Sequence, residues 1–294
     1  MRTILVRTIN ESSTDYDYLF ELWKIISRND DDAYLDFSNC RFLGQNAVAF
    51  IGGMARLVQS RGRRIWFAWH TLNPRVHANL AQNGFLRAFG HPREPSLGNS
   101  IPFREDRAMS PHGFAVHLSR RWLGRGWISI SDGLRDAIVG RVSEAYSNVF
   151  EHARSEIGLF TCGQFFPNRR ELKLTMVDFG VGIPSNVRLH FLTSQGIAPH
   201  QLQSHACMQW AFQIGTSTKP GGRGLGLDLL ASFVRVNDGR MEIFSHDGHA
   251  LVTKAGVAFA TRPVYFEGTL VNVSLRCDER FYHLKSEHPP GELF

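Results

Sequence analysis

Two rhythms of apolar residues run through the first part of the chain. Ile4 to Ile9 is a short β-rich run, and Tyr18, Leu19, Leu22, Trp23 and Ile26 then recur at helical spacing. Ala33 to Phe37 reads as a buried strand, Ala47 to Val58 as a helix, and Ile65 to Trp69 as another strand. Val76 to Ala81 forms a last short helix that ends near Asn83-Gly84. Such alternation predicts a mixed or parallel sheet covered by helices. From His91 to Pro111 the rhythm stops among prolines, glycine and mixed charges, and this stretch reads as a linker.

Beyond it, Ser131 or Asp132 is placed to cap a helix whose apolar stripe is Leu134, Ile138, Val142, Ala145 and Val149. Gly158 to Phe165 and Leu172 to Val177 read as strands joined by the polar turn Pro167-Asn168-Arg169-Arg170. A glycine-rich stretch ends at Gly226, and Leu227 to Val236 is helical, closed by Asp238-Gly239. Met241 to Phe244, Leu251 to Thr253, Val257 to Ala260 and Thr269 to Leu275 predict a largely antiparallel sheet. The polar, proline-containing segment from Asp278 to Phe294 reads as a mobile tail.

A length of 294 residues accommodates two domains, and 43% hydrophobic residues suffice for real cores, which argues against global disorder. No apolar run reaches membrane-spanning length, and Met1 to Arg7 lacks the apolar core of a signal peptide. Cys40, Cys162, Cys207 and Cys277 show no metal or disulfide spacing, so reduced thiols in a cytoplasmic protein are expected. The net charge of +6 is dispersed along the chain. It fits a polyanionic ligand at least as well as nucleic acid, which is not the expected partner.

Three motifs carry candidate chemistry. Glu144, Asn148 and His152 are spaced four apart and share one side of a helix. Magnesium takes hard oxygen ligands and keeps several waters, so Asn148 alone suffices as a protein ligand. Glu144, one turn away, is then placed to act as general base. A solvated helix face is the competing reading. The second motif, Val177-Asp178-Phe179-Gly180-Val181-Gly182-Ile183-Pro184, puts an acid at the end of an apolar strand before a tight glycine turn. A buried carboxylate needs a donor, and the exocyclic amine of adenine is one; a plain turn with a capping Asp is the alternative. The third motif runs from Gly215 to Leu227 into a helix. Its glycines free backbone N–H groups for an anion, with Lys219 and Arg223 able to close over it. It is neither a P-loop nor a dinucleotide fingerprint.

In this order the motifs resemble the GHKL ATPase superfamily, which groups gyrase-type ATPases, histidine kinases and anti-sigma-factor kinases. Glu144-Ala145-x-x-Asn148-x-x-x-His152-Ala153 is similar to its N box, Asp178-x-Gly180-x-Gly182-Ile183-Pro184 to its G1 box, and Gly222-x-Gly224-Leu225-Gly226-Leu227 to its G2 box. Gly268-Thr269 matches the Gly-Thr of the last strand. The resemblance implies ATP and Mg²⁺ as ligands. It makes Asn148 the magnesium ligand, Asp178 the adenine reader, with the Thr269 hydroxyl beside it, and Glu144 the base. Gly180, Gly182, Lys219, Gly222, Arg223, Gly224, Leu225 and Gly226 complete the nucleotide set. His152 is expected near the phosphates without accepting one. The implied fold is an α/β sandwich, a mixed sheet with helices on one face.

Leu35-Asp36-Phe37-Ser38, the run Phe42 to Phe50, Arg61-Gly62-Arg63-Arg64-Ile65 and Leu80-x-x-x-Gly84-Phe85 resemble the STAS domain of anti-sigma-factor antagonists. The position of that family's phosphorylated hydroxyl is Asn46, which has none. The expected α/β organisation is a STAS-like domain over 1–95, a linker over 96–115, a GHKL domain over 116–277 and a tail over 278–294. Three functions fit: an ATP-hydrolysing regulator in signal transduction, a serine/threonine kinase acting on a partner, and an ATP sensor without turnover. A regulatory protein or a second copy of the chain is the expected partner of the STAS-like domain.

Overall fold

The computed structural model describes residues 1–92, 96, 98–213 and 228–287. Its first part follows the order β1 (Arg2–Leu5), α1 (Ser13–Ser27), β2 (Ala33–Asp36), α2 (Gln45–Ser60), β3 (Ile65–Phe67), α3 (Pro74–Gln82) and α4 (Phe85–Ala88). The strands pair in parallel in the order β1-β2-β3. Local chemistry sets the helix starts. Ser12 and Asp15 form a reciprocal capping box at α1, and Asn73 with Pro74 behind it opens α3. Helix α2 is buried on nearly every side, as expected of a helix sandwiched between layers rather than lying on a surface.

The second part contains β4 (Ser100–Asp106), α5 (Pro111–His117), α6 (Asp132–Asn148), β5 (Leu159–Phe166), β6 (Glu171–Asp178), α7 (Gly182–Gln195), α8 (Ser204–Ala211), α9 (Asp228–Val236), β7 (Arg240–Thr253) and β8 (Gly256–Arg276). One sheet runs β4-β5-β6-β8-β7, and each neighbouring pair is antiparallel. Strand alternation divides its side chains between two cores. Leu172, Leu174 and Met176 meet α6 and α9 residues such as Ile138, Val142, Leu230 and Val234. On the opposite face, Phe160, Val177, Phe244 and Phe266 join Phe20 of α1 and Phe50 of α2. The Phe266 ring lies 5.2 Å from that of Phe20 and 5.1 Å from that of Phe50.

A polar seam continues this second contact. Lys173 is buried and ion-paired to Glu11, and it also reaches Glu171 at 3.1 Å. Asn272 donates to Glu11 at 3.1 Å and accepts from the Thr175 hydroxyl at 2.7 Å. Asn46 is fully buried nearby, donating to the Asn10 carbonyl at 2.7 Å.

Four sequence expectations change. The mixed sheet with helices on one face is antiparallel throughout, and α1 and α2 cover its second face. The 96–115 segment expected as a linker contains β4 and the start of α5. Pro102 is tolerated because β4 is an edge strand, and the pairing shifts register between Ile101 and Arg104. The four short strands expected after Asp238-Gly239 are two long ones, β7 and β8. In the expected tail, Tyr282 is buried, bridges Ile130 and stands edge-on to Phe233; residues 288–294 lie outside the described residues. Among the described residues no helix is long and apolar enough to cross a membrane, and all four cysteines are buried and unpaired.

Candidate functional site

Strand β6 delivers Asp178 at its C-terminal end, between Leu159 of β5 and Thr269 of β8. The carboxyl is only 3% exposed. Oδ1 accepts from the Gly180 backbone N–H at 2.9 Å. Burial pushes this acid up to about 7, against the hydrogen bonds from Gly180 and Thr269 that pull it down. A carboxyl so placed sits near its midpoint at neutral pH and gains from any further donor.

The turn after Asp178 is held from three sides. Val181 N–H donates to the Ala153 carbonyl at 2.7 Å, which ties the turn to the end of the α6 segment. A Cβ on Gly180 would overlap that same carbonyl. Gly182 has φ +74°, and a Cβ there would run into the Glu267 carbonyl and the Ser245 and His246 side chains. Phe179 turns the other way, its ring 5.3 Å from Phe50 and 5.4 Å from Phe266 and pressed onto Gly53 of α2.

Helix α6 is capped by the Ser131 hydroxyl, which accepts from Leu134 N–H at 3.1 Å. It carries Glu144 and, one turn on, Asn148 at its last residue, then widens into a π-type turn over Val149–Ala153. Arg154, left-handed at φ 52°, ends it. Glu144 is exposed, and its carboxylate pairs with Arg141 at 3.1 Å on the same helix. Asn148 is half-buried. The His152 carbonyl accepts from the Asn186 side chain at 3.2 Å, a second tie between this segment and α7.

The fold therefore brings Asp178, Gly180, Gly182 and Thr269 together, with the His152-Ala153 end of the N-box-like segment against them. It leaves Glu144 paired to Arg141 on the helix surface. Lys219, Gly222, Arg223, Gly224, Leu225 and Gly226 lie outside the described residues.

Further residues shape the turn that sequence reasoning did not single out. Ser245 accepts from Ile183 N–H at 2.9 Å, donates to the Gly268 carbonyl at 3.0 Å and lies 3.2 Å from the Thr269 hydroxyl. Thr269 thus meets Asp178 through its backbone, while its hydroxyl faces Ser245. Asn186, Arg188 and His246 complete the surround. Their only common signal is position after the fold is known, since Ser245 and His246 come from a register shift in β7. The chain matches no protein-family model and no curated protein.

Proposed function

We propose that residues 116–277 form an ATP site of the GHKL type, with Mg²⁺ held at Asn148 and adenine read by Asp178. The carrying observation is the buried Asp178 carboxyl, placed at a strand end beside a glycine turn that is pinned to the N-box-like segment. An acid kept away from water has use for an amine donor, and the glycines let the turn beside it close against the Ala153 and Glu267 carbonyls. Asn148, half-buried at the end of α6, would offer the hard oxygen that magnesium prefers, and a magnesium ion keeps several waters of its own. Glu144 would activate water or a hydroxyl one turn away; its exposure leaves it reachable, and its pairing with Arg141 would have to rearrange. The N-terminal region, packed on the back of the same sheet, would carry the nucleotide state to a partner.

Calorimetric titration of the full chain with ATP and GTP, with and without Mg²⁺, tests the reading. ATP should bind with Mg²⁺ dependence that Asn148→Ala removes, and GTP should bind poorly. Equal affinity for the two nucleotides would sink the assignment of Asp178. Phosphate release that slows by about two to four orders of magnitude in Glu144→Ala supports hydrolysis. Transfer to a partner hydroxyl without release would identify a kinase, and tight binding with neither activity would identify a sensor.

A further inference from the structure

His246 is an unusual residue for a strand interior. It is buried, it has φ 57°, and it sits between two register shifts of the β7–β8 pairing. Left-handed backbone at a non-glycine residue is costly, and bulges of this kind turn a side chain in a direction that regular pleating forbids. Here the ring is turned toward the glycine turn beside Asp178. Nε2 lies 2.8 Å from the Val181 carbonyl and 3.3 Å from the Ser185 hydroxyl. Nδ1 lies 3.2 Å from the Arg188 guanidinium.

Those neighbours fix the proton. A carbonyl oxygen only accepts, so Nε2 must carry hydrogen; a guanidinium only donates, so Nδ1 must be bare. Both ends of the ring demand the same neutral tautomer. Arg188 is itself immobilised, donating from Nε to the Leu202 carbonyl at 2.9 Å and from Nη2 to Ser204 at 3.0 Å. Tyr265 of β8 packs on the ring at 4.8 Å between centroids.

We propose that His246, locked by Arg188 as the neutral Nε2–H tautomer, is a positioning residue that holds the Val181 carbonyl and so sets the turn that presents Asp178 to the adenine ring. This rests on the nucleotide reading above. It adds a residue outside the three motifs, together with a protonation state on which the turn depends. The charged and titratable groups facing the ring are Arg188 from α7, the adjacent Asp247 in β7 and Tyr265 from β8. Burial and Arg188 hold the imidazole below its ordinary value, with the Val181 hydrogen bond and Asp247 opposing them. Protonation would set an N–H against the guanidinium and loosen the turn.

The experiment has two readouts on the full chain. Nitrogen-15 NMR of the ring, without nucleotide, should show the Nε2–H tautomer, remaining neutral below the ordinary midpoint of 6.5. An Nδ1–H tautomer, or ordinary titration at that midpoint, would overturn the proposal. Adenosine affinity, measured by calorimetry, should fall by about tenfold in His246→Ala, the scale of one lost buried hydrogen bond with relaxation of the turn. His246→Gln, whose amide keeps a donor for Val181 and an acceptor for Arg188, should restore most of it. Unchanged affinity in a folded His246→Ala overturns the positioning role while leaving the nucleotide reading standing. A native chain that binds neither adenosine nor ATP overturns both.

Discussion

On the proposed reading of Asp178, adenosine binding should rise with pH, because the exocyclic amine donates better to the carboxylate than to the protonated acid. Burial pushes the acid from its ordinary 3.8 to about 7, and each unit corresponds to about 1.4 kcal/mol, so ionising it is on the order of 4 kcal/mol less favourable than ionising an exposed aspartate. An exocyclic amine donates best to the carboxylate, so the ligand selects the ionised form. With a midpoint of about 7, the ionised fraction rises about tenfold between pH 6 and pH 8, and affinity should rise with it. At pH 7 binding should release about half a proton, since half the free molecules hold one there. Adenosine is the right probe because it has no phosphate to titrate. Calorimetry in two buffers of different ionisation heat reads the proton directly. Equal affinity at pH 6 and pH 8 with no proton released would refute the assignment. The same acid also affects folding. Between its unfolded and folded midpoints the native chain holds a proton the unfolded chain has lost, so stability falls as pH rises from about 4 through about 7.

Replacing Asp178 with Asn should abolish that pH dependence, weaken ATP binding by about 2 kcal/mol or more, and raise the denaturation midpoint at pH 8; a variant with native affinity would exclude a charged contact. Gly182→Ala should cost about 2 kcal/mol or more in urea unfolding, because it forces left-handed backbone on alanine and crowds Glu267. An unchanged midpoint would mean the turn is looser than described. Lys173→Ala should cost about 3 kcal/mol in urea unfolding, as it removes the ammonium paired with Glu11 and the packing of its buried stem, whereas Lys173→Met, which keeps the packing, should lose less. Incubation with Mg-ATP should leave residues 1–95 unphosphorylated, since Asn46 is buried and has no hydroxyl; a stoichiometric phosphate on Ser38 in mass spectra would contradict this.

Much of the helical structure was legible because burial is one-sided in α1 and α6, and one-sided burial leaves a period. The same rule failed where position rather than pattern decides. Ser100–Asp106 contains a proline and three charged residues, and it is a strand only because it lies at a sheet edge with one neighbour. Helix α7 begins among glycine and proline and keeps Leu189 and Leu192 exposed, so it carries little stripe to find. Asp178, Gly180 and Gly182 were visible because a strand end followed by glycines is a local signal. Ser245, His246 and Arg188 were not, since their meeting depends on a register shift between strands and a helix far from both. That α2 would cover the sheet was equally hidden: the apolar run within it says that it is buried, not against what.

Phe179 gives distance along this chain a different meaning. Its backbone belongs to the turn after Asp178, yet its ring rests on Gly53, where even one added methyl group would overlap it. Helix α2 thus backs the turn beside Asp178 through a single ring. Pressure applied to that helix by anything grasping the N-terminal region has a rigid aromatic piston between it and the acid. Coupling between binding sites is reciprocal, so a partner on α2 that changed affinity at the turn would have its own affinity changed by the same factor. On the proposed reading, substitutions in residues 45–60, on the far side of Phe179 from Asp178, should also alter nucleotide affinity.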